Sequence, residues 1–327
     1  MEKDMKLEYY GFDCGNGYSK LESDGTEIVF KTGVELSRNT VFESNYDNAL
    51  SMDGKNYIVG LTRRESKENK AEDMDMLLCL MLGIAYITKK KKRNKVQHVV
   101  IGMGSPIIHA SEFKESYIKY FKGKRCQFTY MGEEYDITID YVFFFQQGIA
   151  AITANYATKI KPLGECVFFD MGMGTTDTGL ILYTIDMEGR SKVQITELDS
   201  FDIGADYILK EIRRELRNDS ANISDEMLER AIRSEKITCA RSEEISQIAV
   251  QIATAYVSDF VARMKKRYNM GLPIVAQGGT YLLLKEYLDE KGIEPAVTFD
   301  QFENARSFRK LAELKMNKND GKKKKMS

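Results

Sequence analysis

Histidine is almost missing from this chain of 327 residues: His98 and His109 are the only two. Histidine-based metal centres and Ser-His-Asp catalysis therefore make poor starting hypotheses. The 5 cysteines (Cys14, Cys79, Cys126, Cys166, Cys239) are odd in number, widely scattered and without a CxxC pair. That pattern excludes a disulfide framework or a cysteine zinc site and reads as a reduced, cytoplasmic protein. Net charge is nearly absent too, at -1, so there is no overall electrostatic pull towards nucleic acid or membrane. No apolar run is long enough to cross a bilayer; the longest, Met76 to Ile87, reads as a buried helix. The amino-terminal stretch Met1 to Lys6 is charged and lacks the apolar core of a signal peptide.

What is present is the composition of a globular chain, 43% hydrophobic and 30% charged with 4 prolines. It is too long for one small core and fits two domains of ordinary size. Two segments resemble each other. Tyr9 to Gly17 (YYGFDCGNG) and Val167 to Gly174 (VFFDMGMG) are both short apolar and aromatic runs ending in Asp-x-Gly-x-Gly. Each continues into a second strand-like stretch, Tyr18 to Leu21 and Gly179 to Tyr183. A strand, glycine-rich turn and strand near the start of each half predicts two domains of similar design. Further strands are expected at Val96–Met103, Gln127–Tyr130, Glu134–Phe145, Val193–Phe201 and Leu272–Ala276. Helices are expected at Ser111–Phe121, Gly148–Thr158, from Gly204 onward, and at Ser224–Arg233, Ser242–Arg267, Tyr281–Glu290 and Phe302–Met316. Strands alternating with helices make the class α/β. The triplet Phe143-Phe144-Phe145 reads as a central buried strand.

The two Asp-x-Gly-x-Gly turns carry the chemistry. Gly-x-Gly lets backbone N–H groups converge with no Cβ in the way, a nest for phosphate oxygens. In the first, Gly15, Asn16 and Gly17 form the turn, where Asn-Gly suits a tight hairpin. Lys20 stands close enough to cross the hairpin and neutralise phosphate charge. In the second, Gly172 and Gly174 are joined by the hydroxyls of Thr175 and Thr176. A carboxylate beside a phosphate nest is repulsive unless a cation lies between them, so Asp13, Asp170 and Asp177 imply Mg²⁺ held largely through water. An ordinary β-turn accounts for either motif alone; two copies at equivalent positions favour the phosphate reading. Gln277-Gly278-Gly279-Thr280 and Gly204-Ala205-Asp206 sit at strand-to-helix junctions, where glycines permit close approach by a flat ligand. A plain turn explains each of these by itself. Lys89 to Lys95 ends an apolar helix, where basic residues complement the helix dipole.

Taken in order, these motifs resemble the superfamily of actins, heat-shock chaperones and sugar kinases, and within it the ParM/StbA-like bacterial actins. Asp13 to Lys20 looks like the first phosphate loop, Asp170 to Asp177 the second, and Gln277 to Thr280 the adenosine motif. Gln147 to Ala151 looks like the first connecting segment, while Val99 to Pro106 and Phe302 to Phe308 resemble two further stretches of plasmid actins. The resemblance implies an actin-like (ribonuclease H-like) fold, with two related α/β domains around a nucleotide cleft. Domain I would span 1–160 completed by a helix at 301–317, domain II 161–300, with 318–327 a disordered lysine-rich tail. It implies an ATP or GTP hydrolase with Asp13 and Asp170 ordering the Mg²⁺ shell. Gln147, or its neighbour Gln146, would orient the attacking water. The nucleoside would rest on Gly204, Asp206, Gly278, Gly279 and Thr280. The implied partners are other copies of the chain in a filament and a ParR-like adaptor on plasmid centromere DNA. Neither a direct membrane contact nor direct sequence-specific DNA binding is expected. The alternative is a small-molecule, sugar-type kinase with the same cleft, against which the sequence shows no convincing catalytic aspartate in its usual surroundings.

Overall fold

A computed structural model of the chain describes residues 6–37, 47–63, 73–185, 191–201, 203–216, 223–239 and 241–326, so Met1 to Lys6 falls almost wholly outside them. The chain divides into two compact units, Met1–Asn155 with Phe302–Ser327, and Tyr156–Gln301. The break thus falls a few residues before the expected one at 160/161.

The first unit opens on the hairpins β1 (Leu7–Cys14), β2 (Tyr18–Ser23) and β3 (Thr26–Lys31), followed by β4 (Val34–Leu36), β5 (Ala49–Met52) and β6 (Lys55–Val59). Then come α1 (Met74–Lys91), β7 (Val96–Ser105), α2 (Ile107–Phe121), β8 (Arg125–Tyr130), β9 (Glu133–Gln146) and α3 (Ile149–Ala154). Its nine strands form one sheet in the order β3-β2-β1-β7-β9-β8-β5-β6-β4. Helix α1 is capped by the Asp73 side chain, which accepts from Asp75 N at 2.9 Å, and ends where Lys92 turns left-handed at φ 53°. It is apolar all round because strands from both ends of the sheet pack on it: β1, β2 and β3 as well as β4, β6 and β8. Each fully buried side chain such as Leu78 or Leu80 contributes roughly 2 kcal/mol, and truncating one to alanine would cost about 3 kcal/mol.

The other face of β1 and β7 is covered by the last helix, α8 (Glu303–Met326). Glycines make this possible: a Cβ on Gly11 would lie 1.8 Å from the Ala305 carbonyl oxygen, and one on Gly102 2.2 Å from that of Phe308. Arg309 pairs with the buried carboxylate of Glu22 at 2.7 Å, and Arg306 with Glu27 at 2.6 Å. Two expectations are corrected here. The helix runs on to Met326 through the stretch expected to be a disordered tail, because lysine is a good helix former and extending a helix costs far less than starting one. The phenylalanine triplet is not buried on both faces. Phe144 points into the core, while Phe143 and Phe145 are half-buried beneath the Lys315 ammonium, which lies 4.5 Å from the Phe145 ring centre.

The second unit contains β10 (Cys166–Met171), β11 (Thr176–Ile185), β12 (Ser191–Phe201), α4 (Ala205–Leu216), α5 (Asp225–Ile232) and α6 (Ser242–Arg267). It closes with β13 (Ile274–Gln277), α7 (Gly279–Glu290) and β14 (Val297–Thr298). By length and composition alone α6 could cross a membrane. Its Ile245, Ala249, Ala253, Tyr256, Val257, Phe260, Val261 and Met264 form one stripe buried in the core of this unit. The sheet order is β12-β11-β10-β13-β14. Three antiparallel strands followed by two parallel ones is also the run β3-β2-β1-β7-β9 of the first unit. The repeated motif is thus a repeated five-strand topology.

Candidate functional site

Both glycine-rich turns are hairpins built alike. Cys14 pairs with Ser19 and Asp13 with Lys20 in the first; Met171 pairs with Thr176 and Asp170 with Asp177 in the second. In each, the first turn glycine donates to the carbonyl three residues on: Gly15 N to Tyr18 O at 3.0 Å, and Gly172 N to Thr175 O at 2.8 Å. Neither turn uses positive φ. The Asn-Gly pair is therefore not the tight turn expected of it; that geometry appears at Asp24-Gly25, Asp53-Gly54 and Met131-Gly132 instead.

The first hairpin ends at the carboxyl edge of the parallel strands, where α/β sheets bind ligands. Asp13 is 3% exposed and holds two partners: Lys20 Nζ at 3.3 Å from one oxygen, and Gln147 Nε2 at 2.7 Å from the other. Gln147, not Gln146, reaches Asp13; Gln146 is the last residue of β9, paired with Ser105 of β7. The turn is stitched from outside by Thr32, whose hydroxyl donates to Gly15 O at 3.0 Å and whose amide donates to Gly17 O at 3.1 Å. Sequence reading passed over Thr32.

The second hairpin sets two carboxylates directly across from each other. Asp170 is 8% and Asp177 2% exposed, and side chains at directly opposed positions share a face, where like charges destabilise. Helix ends hold this turn. Ala205 N donates to Gly172 O at 3.4 Å and Asp206 N to Met173 O at 2.9 Å, while the Thr280 hydroxyl donates to Gly172 O at 2.6 Å. A Cβ on Gly204 would lie 2.4 Å from the carbonyl oxygens of both Gly172 and Met173. Gly278 is confined by φ 103° and by Met171 O, 2.2 Å from where its Cβ would be. Gly279 is open, with nothing within 4 Å of its Cβ position. The structure thus gathers Gly204, Asp206, Gly278 and Thr280 around the second turn. Thr280 and the α4 amides are engaged with the turn's own backbone. The Asp206 carboxylate pairs with Lys210 at 2.6 Å.

The two threonines differ. Thr175 lies half-buried in the turn with Gly174, whereas Thr176 is buried and donates to Ile203 O at 2.7 Å. The expected phosphate-facing role of the Thr176 hydroxyl is corrected accordingly. Tyr256 donates to the same carbonyl at 3.2 Å, and burial pushes its phenol up to about 12, so it stays a neutral donor. Among the described residues no group of three or more His, Cys, Asp or Glu could hold a metal unaided. Within the second unit, the carboxylates of Asp170 and Asp177 are oxygen donors of the kind that suits a Mg²⁺ keeping several waters.

This two-unit topology with paired hairpins is the actin-like fold. Residues 11–149 match the family of actin-like proteins, N-terminal domain. The chain is similar in structure to the archaeal actin homologue Ta0583, at 19% identity and TM-score 0.69, covering 94% of this chain and 99% of that one. Ta0583 is also solved in complex with ADP. A ParM from Clostridium botulinum, solved as a 15-stranded filament, aligns at 16% identity and TM-score 0.72 over 94% of this chain and 100% of its own. Bacillus thuringiensis ParM with ATP aligns at 14% and 0.62, over 95% and 99%. No curated protein sequence matches the chain.

Proposed function

We propose that this chain is a cytoplasmic ATP- or GTP-hydrolysing filament protein in which both hairpins hold one magnesium nucleotide. The observation that carries the reading is the pair of equivalent hairpins, each with a buried aspartate just before its glycine turn. Asp13 stands opposite Lys20 in the first, and Asp170 opposite Asp177 in the second. Structural relatives solved with ADP and ATP support the same ligand class.

In this reading the backbone amides of Gly15 to Gly17 and Gly172 to Gly174, with Lys20 and Thr175, bind phosphate oxygens. Asp13, Asp170 and Asp177 would hold a Mg²⁺ through its water shell, and the ion would supply charge neutralisation for the phosphates. Gln147 orients the attacking water; its carboxamide hydrogen-bonds water but takes no proton, so turnover is slow. Gly279 leaves room for the base. Catalysis of this kind needs little beyond positioning and charge stabilisation. Nucleotide-dependent head-to-tail contacts would build an open filament. A DNA-binding adaptor would couple that filament to plasmid segregation.

The test is sedimentation and light scattering with Mg-ATP and Mg-GTP, comparing wild type with Asp170→Ala, together with phosphate release in the absence of any added acceptor. Wild type is expected to pellet and release phosphate, and the variant to do neither. Wild type that stays monomeric at high concentration removes the filament, and phosphate release only when a sugar is added turns the reading to a kinase.

A further inference from the structure

Gln147 is followed by an unusual piece of backbone. Gly148 has φ 68° and ψ −56°, and Ile149 N donates back to Gln147 O at 2.7 Å. This is the positive-φ form of the γ-turn, the rarer of the two, which glycine can adopt because it has no Cβ. Restraints stand on either side of the turn. Gln147 N donates to Ser105 O at 2.9 Å and its side chain donates to Asp13 at 2.7 Å. The buried Gly148 N–H, which no regular structure satisfies, donates to the Asn304 side-chain oxygen at 3.1 Å.

Asn304 lies in the first turn of α8, far away in sequence. Its neighbour Glu303 accepts from the Asn155 side chain at 2.7 Å, so the start of α8 grips the short helix α3 at both ends. Glu303 is in turn fixed by Ser307 Oγ and by Arg306, each at 3.1 Å. Without the Asn304 oxygen, the Gly148 amide would be buried unsatisfied. The backbone could then relax towards an ordinary turn, swinging the Gln147 carboxamide off Asp13.

We propose that Asn304 is a positioning residue for hydrolysis: by holding the γ-turn at Gly148 it keeps the Gln147 carboxamide against Asp13, where the water must be oriented. This rests on the hydrolase reading above. Asn304 acts through Gly148 and Gln147.

The experiment compares wild type, Asn304→Ala, Asn304→Asp, Gln147→Ala and the Gln147→Ala/Asn304→Ala double variant. It measures phosphate release at saturating Mg-ATP, nucleotide affinity, and hydrogen exchange of the Gly148 amide. Asn304→Ala should lower kcat on the order of tenfold to a hundredfold, as a small misplacement of a catalytic group does, with nucleotide affinity unchanged. Asn304→Asp, which keeps an acceptor oxygen, should recover most of the rate. Removing Asn304 should add nothing in the Gln147→Ala background, because both changes break one device. The Gly148 amide should exchange about tenfold faster in Asn304→Ala, the worth of one net hydrogen bond. Wild-type kcat in Asn304→Ala overturns the proposal, and so does a full further loss in the double variant. Should the alanine variant not fold, Asn304→Asp and Asn304→Ser replace it. Their rates must follow Gly148 protection, and rates independent of it overturn the assignment. Wild type that binds and hydrolyses nucleotide while ignoring Asn304 sinks this inference alone; wild type that binds none sinks the hydrolase reading with it.

Discussion

The two hairpins share register and turn hydrogen bond and differ in the residue facing the aspartate. Opposite Asp13 stands Lys20; opposite Asp170 stands Asp177. The repeated topology thus supplies the same backbone cradle twice, with an opposite charge across from one aspartate and a like charge across from the other. The supports differ too. The first turn is stitched by Thr32 just beyond β3, the second by the starts of α4 and α7, which consume its carbonyls. A turn held at two helix starts has more restraints than one held by a single threonine, which would suit the second hairpin to the metal proposed for it.

The largest effect should come from breaking the proposed metal site. Asp170→Ala is expected to lower phosphate release by about 10²–10³-fold, the usual loss when a charge-stabilising group at a transition state is removed. Chelating Mg²⁺ from wild type should do the same. If Asp170→Ala hydrolyses normally while Lys20→Ala does not, the charge comparison is the wrong way round.

Next come the glycines beside the second turn, where the close packing separates neighbours. Gly278→Ala combines a positive φ with a carbonyl 2.2 Å from the new Cβ, and should cost about 2–3 kcal/mol in urea unfolding. Gly279→Ala meets nothing within 4 Å and should leave stability unchanged, with any loss confined to nucleotide affinity. Equal destabilisation by the two would mean the turn yields to accommodate either.

Smaller still, and opposite in sign, are the charge changes themselves. Asp177→Asn should stabilise the metal-free protein by up to about 1 kcal/mol by relieving like charges held face to face. Lys20→Met should cost about 1 kcal/mol by taking the Lys20 ammonium from Asp13, which keeps only its bond from Gln147. Added Mg-nucleotide should reverse the first difference. Unfolding curves with and without chelator read both.

The paired hairpins were legible because their signal is local: an apolar run, Asp-x-Gly-x-Gly, and another strand. The strands β3 to β6 and β14 were not, being short or lacking a strong apolar run. Yet Asp24-Gly25 is a strong hairpin signal. Reading it would have fixed the register that pairs Tyr18 with Lys31 and brings Thr32 against Gly17. Asn304 and the glycines Gly11 and Gly102 were beyond reach, since each owes its role to a residue far along the chain: Asn304 to Gly148, Gly11 to Ala305 and Gly102 to Phe308. The actin-like fold was legible from the order of its motifs, whereas the hydrogen-bond assignments of Thr176 and Thr280 required coordinates.

Thr175 and Thr176 look interchangeable in sequence, and separating them sharpens the comparison most finely. Thr176 donates its hydroxyl to Ile203 O, a carbonyl that also receives Tyr256. Thr176→Val keeps the shape and removes one of the two donors, so the carbonyl stays satisfied. The cost should be about 0.5–1 kcal/mol, a net hydrogen bond and not the penalty of an orphaned group. Nucleotide affinity should hold, because the hydroxyl already has its partner within the fold. Thr175→Ala should do the reverse, leaving stability alone and weakening the bound triphosphate. If titration instead shows Thr176→Val to be the weaker binder, the Ile203 bond gives way when phosphate arrives. The second hairpin would then reshape on binding, and its helix-held stiffness, on which the contrast with the first depends, would be lost.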